Sequence, residues 1–240
     1  MVKQAMRREA AEVWSLRTRV EHEAARRFAR LAAAVEEFDP ESPIPPLLRS
    51  AAEDERRHAA LCREICAAYG GSAPDSGADP RVAPHDLAVR DAVLYEMVAA
   101  CCITETESVA TVTTLLLGSL EPNVEKVLRE IARDEIAHGR MGWAHLSREA
   151  SRRDVGFLSR WIPGMLTGSV DGALFSASEA SHEADDLLPH GVFPLARKRE
   201  VFVATLEEVV FPGLGKFGID VAPARAWLAE RLRASLRRSG

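Results

Sequence analysis

The chain has 240 residues, a formal net charge of −5, and 28% charged and 47% hydrophobic residues. This composition is typical of a globular protein and excludes disorder as the main state, and the mildly acidic balance argues against nucleic-acid binding. No apolar run approaches the roughly 18 residues that a membrane span requires, and the N-terminal residues lack a signal-peptide core. The four cysteines form no disulfide framework. We expect a cytoplasmic protein without nucleic-acid or membrane partners.

Aromatic residues make up only 6% of the chain, and no stretch alternates β-branched with polar residues, which favours an all-α protein. Apolar residues at helical spacing predict a first helix over residues 9–38, which the Pro-rich turn at 43–46 follows. A second helix is predicted over residues 47–69. The next segment, residues 72–86, is dense in Pro, Gly and Asp, which predicts a loop.

The longest predicted helix covers residues 86–120 and ends at a tight corner at 121–123, where Pro122 suits the first turn of the next helix. The fourth helix runs from there to about residue 153. Two hairpins joined by one long connection are the layout of a four-helix bundle with one long crossover. We therefore predict such a bundle over residues 1–155.

The chain continues after the bundle with a further stretch, residues 156–240. Breaks are predicted at Trp161–Gly164 and at Phe211–Gly215, where Pro and Gly interrupt the helical pattern. Three helices are predicted in this part, over residues 170–188, 195–210 and 222–238. Because the segment lacks a long apolar stretch of its own, we predict that it packs on the bundle as a C-terminal helical extension.

Two similar strings recur 80 residues apart, once in each predicted hairpin. The first is Asp54-Glu55-Arg56-Arg57-His58 and the second is Asp134-Glu135-Ile136-Ala137-His138. A Glu and a His three residues apart project from one face of a helix, so each pair can bind a metal ion. The recurrence indicates an internal pseudo-symmetry in which each hairpin supplies half of a metal site.

A two-metal site in a four-helix bundle needs one further carboxylate from each of the other two helices. In the third predicted helix, Glu105 lies about as far from the corner at 120–122 as Glu135 does in the fourth helix. Both carboxylates are therefore expected at the same level of the bundle. Glu107 would be rotated to the other side of its helix, which favours Glu105 as the ligand.

The first helix offers two candidates, Glu21 and Glu23, which flank the centre of its apolar face. A polar stripe that includes Arg19 and Arg26 lies nearer Glu23, which favours Glu21. Buried carboxylates would repel one another strongly without cations, so a set of this kind in a core indicates bound metal. The predicted ligands are Glu21, Glu55, His58, Glu105, Glu135 and His138.

This ligand pattern resembles the ferritin-like di-iron carboxylate superfamily, which includes ferritins, rubrerythrins and di-iron oxygenases, over about residues 8–153. The segment Glu21–Phe28 is similar to the first helix of that group, in which the ligand lies seven residues before an aromatic residue. The resemblance implies a ferritin-like fold, two bound iron ions and O2 as a co-substrate. It leaves open whether manganese replaces one iron.

By the same resemblance, one iron would be bound by Glu21, Glu55 and His58, and the other by Glu105, Glu135 and His138. In related oxidases the Asp that precedes a ligand Glu bonds the His of the opposite hairpin. Carried over to this chain, Asp134 would orient His58 and Asp54 would orient His138, which fixes the tautomer of each imidazole.

Two cysteines are placed near the predicted ligands. Cys62 follows His58 by four residues and Cys101 precedes Glu105 by four, so both are predicted to point into the core beside the metals. There they either tune the site or, as cysteines in such positions more often do, serve as small buried hydrophobic residues.

The C-terminal extension helps to choose among the functions that occur in the superfamily. Rubrerythrins usually add a rubredoxin-type Cys-x-x-Cys pair, a spacing that these cysteines lack, and storage ferritins end soon after the fourth helix. An extension of this size is what an enzyme needs to enclose an organic substrate and exclude water. Within it, Glu179 and His182 either supply an extra ligand or substrate contact or mark a surface helix end. We expect an O2-dependent oxidase or oxygenase that hydroxylates or N-oxygenates a small molecule.

Two other functions stay open. One is a ferroxidase or a rubrerythrin-like protein that scavenges peroxide, for which carboxylate-lined iron paths and a cage assembly would be typical. The other is a helical interaction protein that retains the motif without the metal. The sequence does not specify the substrate, the electron donor or the oligomeric state, for which a homodimer is one option.

Overall fold

The computed structural model describes residues 4–74, 81–170, 172–175 and 182–238. Within these ranges every regular element is a helix, and no strand is present. The predicted all-α class is therefore confirmed for the described chain. No helix among the described residues is both long and apolar enough to cross a membrane.

The α-helices in chain order are α1 (Gln4–Phe38), α2 (Ile44–Ala68), α3 (Val89–Met97), α4 (Glu105–Leu116), α5 (Pro122–Ala150), α6 (Ile162–Ser169), α7 (Leu195–Thr205), α8 (Phe211–Gly215) and α9 (Ala222–Arg238). A first π-helical segment, Val98–Thr104, joins α3 to α4, and a second, Leu206–Val210, joins α7 to α8. Short 3₁₀ helices cover Gly156–Arg160, Gly172–Phe175 and His182–His190.

Contacts within the chain define two compact units. The first unit comprises residues 1–81, 112–134 and 185–192, and the second comprises residues 82–111, 135–184 and 193–240. The predicted division into a bundle over residues 1–155 and an extension over 156–240 stays a prediction.

In the first unit, α1 and α2 form an antiparallel hairpin. Arg49 at the start of α2 pairs with Glu36 at the end of α1, and at the other end the Cys66 thiol donates to the carbonyl of Ala11 at 3.3 Å. Pro45 lies in the first turn of α2, where the helix requires no N–H. The largest buried apolar side chains of the hairpin are Trp14, Phe28, Leu31 and Leu48.

The segment around His190 is hydrogen-bonded to this hairpin and to Tyr69 just after it. The indole Nε1 of Trp14 donates to the His190 carbonyl at 2.9 Å, and the Tyr69 hydroxyl lies 2.8 Å from His190 Nδ1. Gly191 follows with φ +76°, and a Cβ there would lie 2.8 Å from a ring carbon of Trp14. Only glycine permits both that backbone conformation and that close approach.

In the second unit, α3 and the first π-helical segment run antiparallel to the last part of α5. Arg90 in α3 donates to both carboxylate oxygens of Glu149 at 2.8 and 2.9 Å. Farther along, Gly142 of α5 touches Cys101, because a Cβ on Gly142 would lie 2.3 Å from the Cys101 Cβ. The predicted helix over residues 86–120 is therefore present, but it contains a π-helical interruption that the sequence did not predict.

The C-terminal helices share one apolar core with α3 and the first π-helical segment, all within the second unit. Helix α6 contacts the π-helical segment directly. The core residues from α3 and the π-helical segment include Leu94, Tyr95, Val98, Cys102 and Ile103, and those from the C-terminal helices include Ile162, Met165, Leu166, Phe202, Phe211 and Leu228.

Two predictions about the C-terminal part are wrong. In place of the predicted α-helix over residues 170–188, the described residues form 3₁₀ helices, because Val170 is extended at φ −122° and ψ 142° and ends α6. Residue 171 and residues 176–181 of that prediction lie outside the described residues. At the predicted break over Phe211–Gly215 the chain is helical, because Pro212 lies in the first turn of α8, where the helix requires no N–H; this helix ends at Gly215.

Candidate metal centre

The first unit brings Glu21, Glu55 and His58 together, with one ligand atom from each within 4.8 Å of the others. His58 Nδ1 lies 3.3 Å from Glu55 Oε2 and 3.8 Å from Glu21 Oε2. Glu55 and His58 are at most 1% exposed. Glu23, the other candidate in α1, instead lies 3.9 Å from the Arg19 guanidinium. We call Glu21, Glu55 and His58 the first triad.

The two carboxylates of the first triad make its imidazole strongly basic. Burial opposes a positive charge on His58, but hydrogen bonds with Glu21 and Glu55 outweigh it and raise the pKa of His58 to about 11. Burial likewise opposes ionisation of Glu21, but hydrogen bonds with His58 and Glu55, together with the nearby charges of His58 and Arg17, outweigh it and lower the pKa of Glu21. The triad therefore favours a cation between its carboxylates, and a metal ion that binds there must displace a proton.

Asp134 contacts the other side of the His58 ring, and the role that the resemblance implied for it stays a prediction. Its Oδ2 lies 3.1 Å from His58 Nε2, so a proton on Nε2 is donated to the carboxylate and Nδ1 is left facing the triad. Burial disfavours the charge on Asp134, but hydrogen bonds from Arg133, His58 and Arg57 outweigh it and hold the pKa of Asp134 below its usual range. The carboxylate thus stays a hydrogen-bond acceptor for the imidazole.

The second unit brings Glu105, Glu135 and His138 together, again with one ligand atom from each within 4.8 Å of the others. These side chains are 6%, 3% and 2% exposed, in that order. His138 Nδ1 lies 3.3 Å from Glu135 Oε2, and the Ser108 hydroxyl donates to Glu135 Oε1 at 3.5 Å. We call Glu105, Glu135 and His138 the second triad.

The local fold explains why Glu105 rather than Glu107 belongs to the second triad. Glu105 is the first residue of α4 and directly follows the π-helical segment Val98–Thr104, and π-helical turns are frequent at functional sites. Glu107 is instead engaged one turn farther along its own helix, where it accepts a hydrogen bond from the Thr111 hydroxyl at 2.8 Å.

For several predicted site residues the structure gives the position, while the predicted role stays a prediction. Asp54 contacts the Arg57 guanidinium at 2.9 Å, and its proposed orientation of His138 stays a prediction. Cys62 and Cys101 are fully buried and lie in no disulfide, while their role beside metal ions stays a prediction. Glu179 lies outside the described residues.

Besides Glu135 and His138, α5 carries two further buried polar residues that the sequence analysis did not identify. Glu149 is fully buried and binds both Arg90 and Arg153. His145 is 1% exposed, and neither of its ring nitrogens has a hydrogen-bond partner among the described residues. His145 and Glu149 follow His138 by seven and eleven residues, so all three lie on one face of the helix. This spacing is the sequence pattern from which the buried pair could have been predicted.

The stability of the metal-free protein is expected to fall in mild acid because of His145. Burial lowers the pKa of this imidazole to about 4, so the unfolded chain takes up a proton below about pH 6.5 that the folded chain does not. This neutral histidine therefore favours folding above pH 6.5, and the contribution disappears as the pH falls toward 4. Between pH 7.5 and 5 the difference is about 2 kcal/mol.

Urea unfolding of the wild type and of His145→Leu at both pH values, with a chelator present, measures this effect. The variant should lose about 2 kcal/mol less than the wild type on acidification. His85→Gln is the matched control, because His85 is exposed, and it should keep the wild-type pH dependence. An equal pH dependence in His145→Leu and the wild type would contradict the prediction.

The two triads belong to an all-helical protein and group carboxylates and imidazoles that could hold metal ions. The sequence model of the Rubrerythrin family matches residues 15–145, which is more than half of the chain and contains all six triad residues. The chain belongs to this family, a member of the ferritin-like di-iron superfamily, so the predicted superfamily is confirmed. Among curated proteins, none matches the chain significantly.

The triad residues fit the metal that the family binds. Proteins of the Rubrerythrin family bind two iron ions. Carboxylates and imidazole satisfy ferrous and ferric iron and leave coordination positions open for a further ligand. Each triad supplies two carboxylates and one imidazole; five of these six groups are buried, and the Glu21 side chain is 13% exposed. An ion with three protein ligands keeps coordination positions open for other ligands.

Proposed function

We propose that the protein is an O2-dependent di-iron oxidase or oxygenase that hydroxylates or N-oxygenates a small organic molecule, and that the two triads hold its two iron ions. Membership of a di-iron family supports the metal.

The observation that carries the proposed substrate class is the packing of the C-terminal helices in the second unit. Helix α6 lies against the π-helical segment that ends at Glu105. Ile162 and Leu166 of this helix are fully buried in one core with Val98 and Ile103. Iron binding by the triads does not need this cover, whereas oxidation of an organic molecule needs surroundings that exclude water.

The residues of the chain have distinct tasks in this proposal. When bound, two ferrous ions would supply the electrons that O2 requires. Glu21, Glu55 and the Nδ1 atom of His58 would bind one ion, while Asp134 keeps the proton of His58 on Nε2. The second triad would bind the other ion. The apolar core around Ile103 would keep bulk water from the substrate and hold it in place.

A second candidate function is peroxide scavenging or iron oxidation of the rubrerythrin type. The family match itself favours it, because the matched residues contain both triads and none of the C-terminal helices from α6 onward. In this case peroxide or ferrous iron is the substrate, and the C-terminal helices serve another purpose. The non-catalytic alternative predicts that the chain binds no metal.

Mixing of the Fe(II)-loaded protein with oxidants separates these functions. The protein is reconstituted anaerobically with Fe(II) and mixed in a stopped-flow instrument with either O2 or H2O2, in the presence and absence of a panel of aromatic amines and hydroxylatable aromatic acids. We expect O2 to be consumed faster than H2O2, and expect an ¹⁸O atom from ¹⁸O2 in the product of at least one compound.

Three outcomes would contradict the oxygenase proposal. Catalytic reduction of H2O2 with slow O2 consumption would establish the peroxide-scavenging function. Uptake of many more than two Fe ions per chain after air oxidation would establish iron handling. No iron binding in the anaerobic protein would favour the non-catalytic alternative.

A further inference from the structure

Arg57 contacts three carboxylates of the first unit, one of which also contacts His58. Its Nη1 lies 2.9 Å from Asp54 Oδ1, its Nε donates to Glu130 Oε1 at 2.9 Å, and its Nη2 donates to Asp134 Oδ2 at 2.6 Å. All three guanidinium nitrogens are thus engaged, and the planar, rigid group fixes the three directions relative to one another.

The contact with Asp134 reaches the first triad through a shared atom. The Oδ2 that accepts from Arg57 is the same oxygen that lies 3.1 Å from His58 Nε2. The position of this oxygen sets the direction of the imidazole ring, and with it the direction of Nδ1 toward Glu55.

Arg133 offers Asp134 a competing set of contacts. Its Nε donates to Asp134 Oδ1 at 2.8 Å and its Nη2 to Oδ2 at 3.2 Å. The Arg133 side chain is 68% exposed, so it can move with the carboxylate. Without Arg57, the contact with His58 alone would oppose Arg133 among the described contacts of Asp134, and the carboxylate is expected to turn toward Arg133.

The two repeated strings differ at this position. Arg57 directly precedes His58, whereas Ala137 directly precedes His138. An alanine side chain can form no ion pair, so the second string supplies no counterpart to the Arg57 contacts. The two strings are therefore not equivalent at the residue that precedes the histidine.

We propose that Arg57 is a positioning residue for the first triad: it holds Asp134 against His58 and makes metal binding at this triad depend on a surface arginine. This rests on the proposed function insofar as the triads bind metal. The Arg57 side chain is 41% exposed, and exposed ion pairs contribute little to folding stability. Its removal is therefore expected to change the orientation of the imidazole rather than the fold.

Anaerobic Co(II) binding to Arg57→Gln tests this role. Two binding steps are expected for the wild type, and in the variant one step is expected to weaken 10- to 100-fold while the other is unchanged, as is typical when the partner of a metal-binding histidine is removed. Arg57→Lys should recover part of the affinity, because an ammonium group can replace one of the three contacts. Arg56→Gln is the matched control, since among the residues that the structure describes the neighbouring Arg56 pairs only with Glu53, at the surface.

A second readout reports the imidazole directly. In the Co(II)-loaded protein, the ring N–H protons of metal-binding histidines give strongly shifted NMR signals. We expect the Nε2–H signal of His58 to exchange with water faster in Arg57→Gln than in the wild type or Arg56→Gln, while the signal of His138 is unchanged. A residue with a merely structural role would not alter one histidine alone.

The outcomes separate this role from the proposed function. If the wild type binds no Co(II), both proposals are overturned. If the wild type has two sites and Arg57→Gln keeps both affinities and the N–H signal, only the role of Arg57 is overturned. Equal weakening of both sites, or thermal unfolding of metal-free Arg57→Gln and Arg57→Lys far below the wild type, would also overturn it.

Discussion

Replacing Glu135 by alanine is expected to reduce Fe(II) binding from about two ions per chain to one or fewer. Glu135 is 3% exposed and lies with Glu105 and His138 in the second triad. Without it the triad keeps one carboxylate and one imidazole, which leaves the ion two protein ligands and less negative charge to offset its own. We expect a loss of affinity of at least 100-fold at this triad, since removal of even an outer hydrogen-bond partner costs 10- to 100-fold.

Anaerobic equilibrium dialysis with Fe(II), followed by metal analysis, measures this loss. Glu125→Ala is the matched control on the same helix, because Glu125 is partly exposed and pairs with Arg129 at the surface. Glu55→Ala should reduce iron binding similarly at the first triad, with Glu53→Ala as its control. Fewer than two Fe ions in the wild type, with no further loss in Glu135→Ala or Glu55→Ala, would contradict the di-iron assignment.

Replacing Gly142 by alanine is expected to lower the free energy of unfolding by about 2 kcal/mol or more, since extra atoms in a packed core typically cost 1–3 kcal/mol. The new Cβ would lie 2.3 Å from the Cβ of Cys101 and 3.1 Å from its carbonyl carbon. Because a backbone atom lies that close, the first π-helical segment itself would have to move. A side-chain rotation at Cys101 could not relieve the contact.

Gly139→Ala provides a control on the same helix. A Cβ at Gly139 would meet its nearest atom at 3.7 Å, which is an ordinary contact. Glycine inside a helix is less favourable than alanine by about 0.5–1 kcal/mol, so this variant should be slightly more stable than the wild type. Urea unfolding of both variants measures the difference, and equal stability of the two would contradict the close approach at Gly142.

The sequence was sufficient to predict the parts that depend on local spacing. Apolar periodicity predicted α1, α2 and α5 to within a few residues, and the Glu-x-x-His spacing placed Glu55 beside His58 because both follow from helix geometry alone. The choice of Glu21 over Glu23 used the polar stripe on one helix face, which is also local. Such sequence patterns predict the structure well because the regular geometry of a long helix fixes which side chains share a face.

The sequence was not sufficient where packing decides the structure. The π-helical segment before Glu105 left no periodic signal that single-sequence inspection could separate from an α-helix. The contacts of Arg57 with Glu130 and Asp134 join residues more than 70 positions apart, so the string around His58 gave no indication of them. Around Pro212, local propensity predicted a break, whereas α8 directly follows the second π-helical segment with Pro212 in its first turn.

The first π-helical segment also determines the direction of Glu105 relative to the apolar face of α3, because it adds one residue to the helix. Each residue of an α-helix advances the direction of the side chain by about 100°, and a π-helical turn holds one residue more than an α-helical turn. Tyr95 of α3 and Val98 at the start of the segment share the apolar core with the C-terminal helices, and Glu105, directly after the segment, joins the second triad. Deleting one residue between positions 98 and 104 would leave the composition nearly unchanged but turn one of these faces away from its target. The extra residue thus sets the angle about the helix axis between the residues that pack with the C-terminal helices and Glu105 of the second triad.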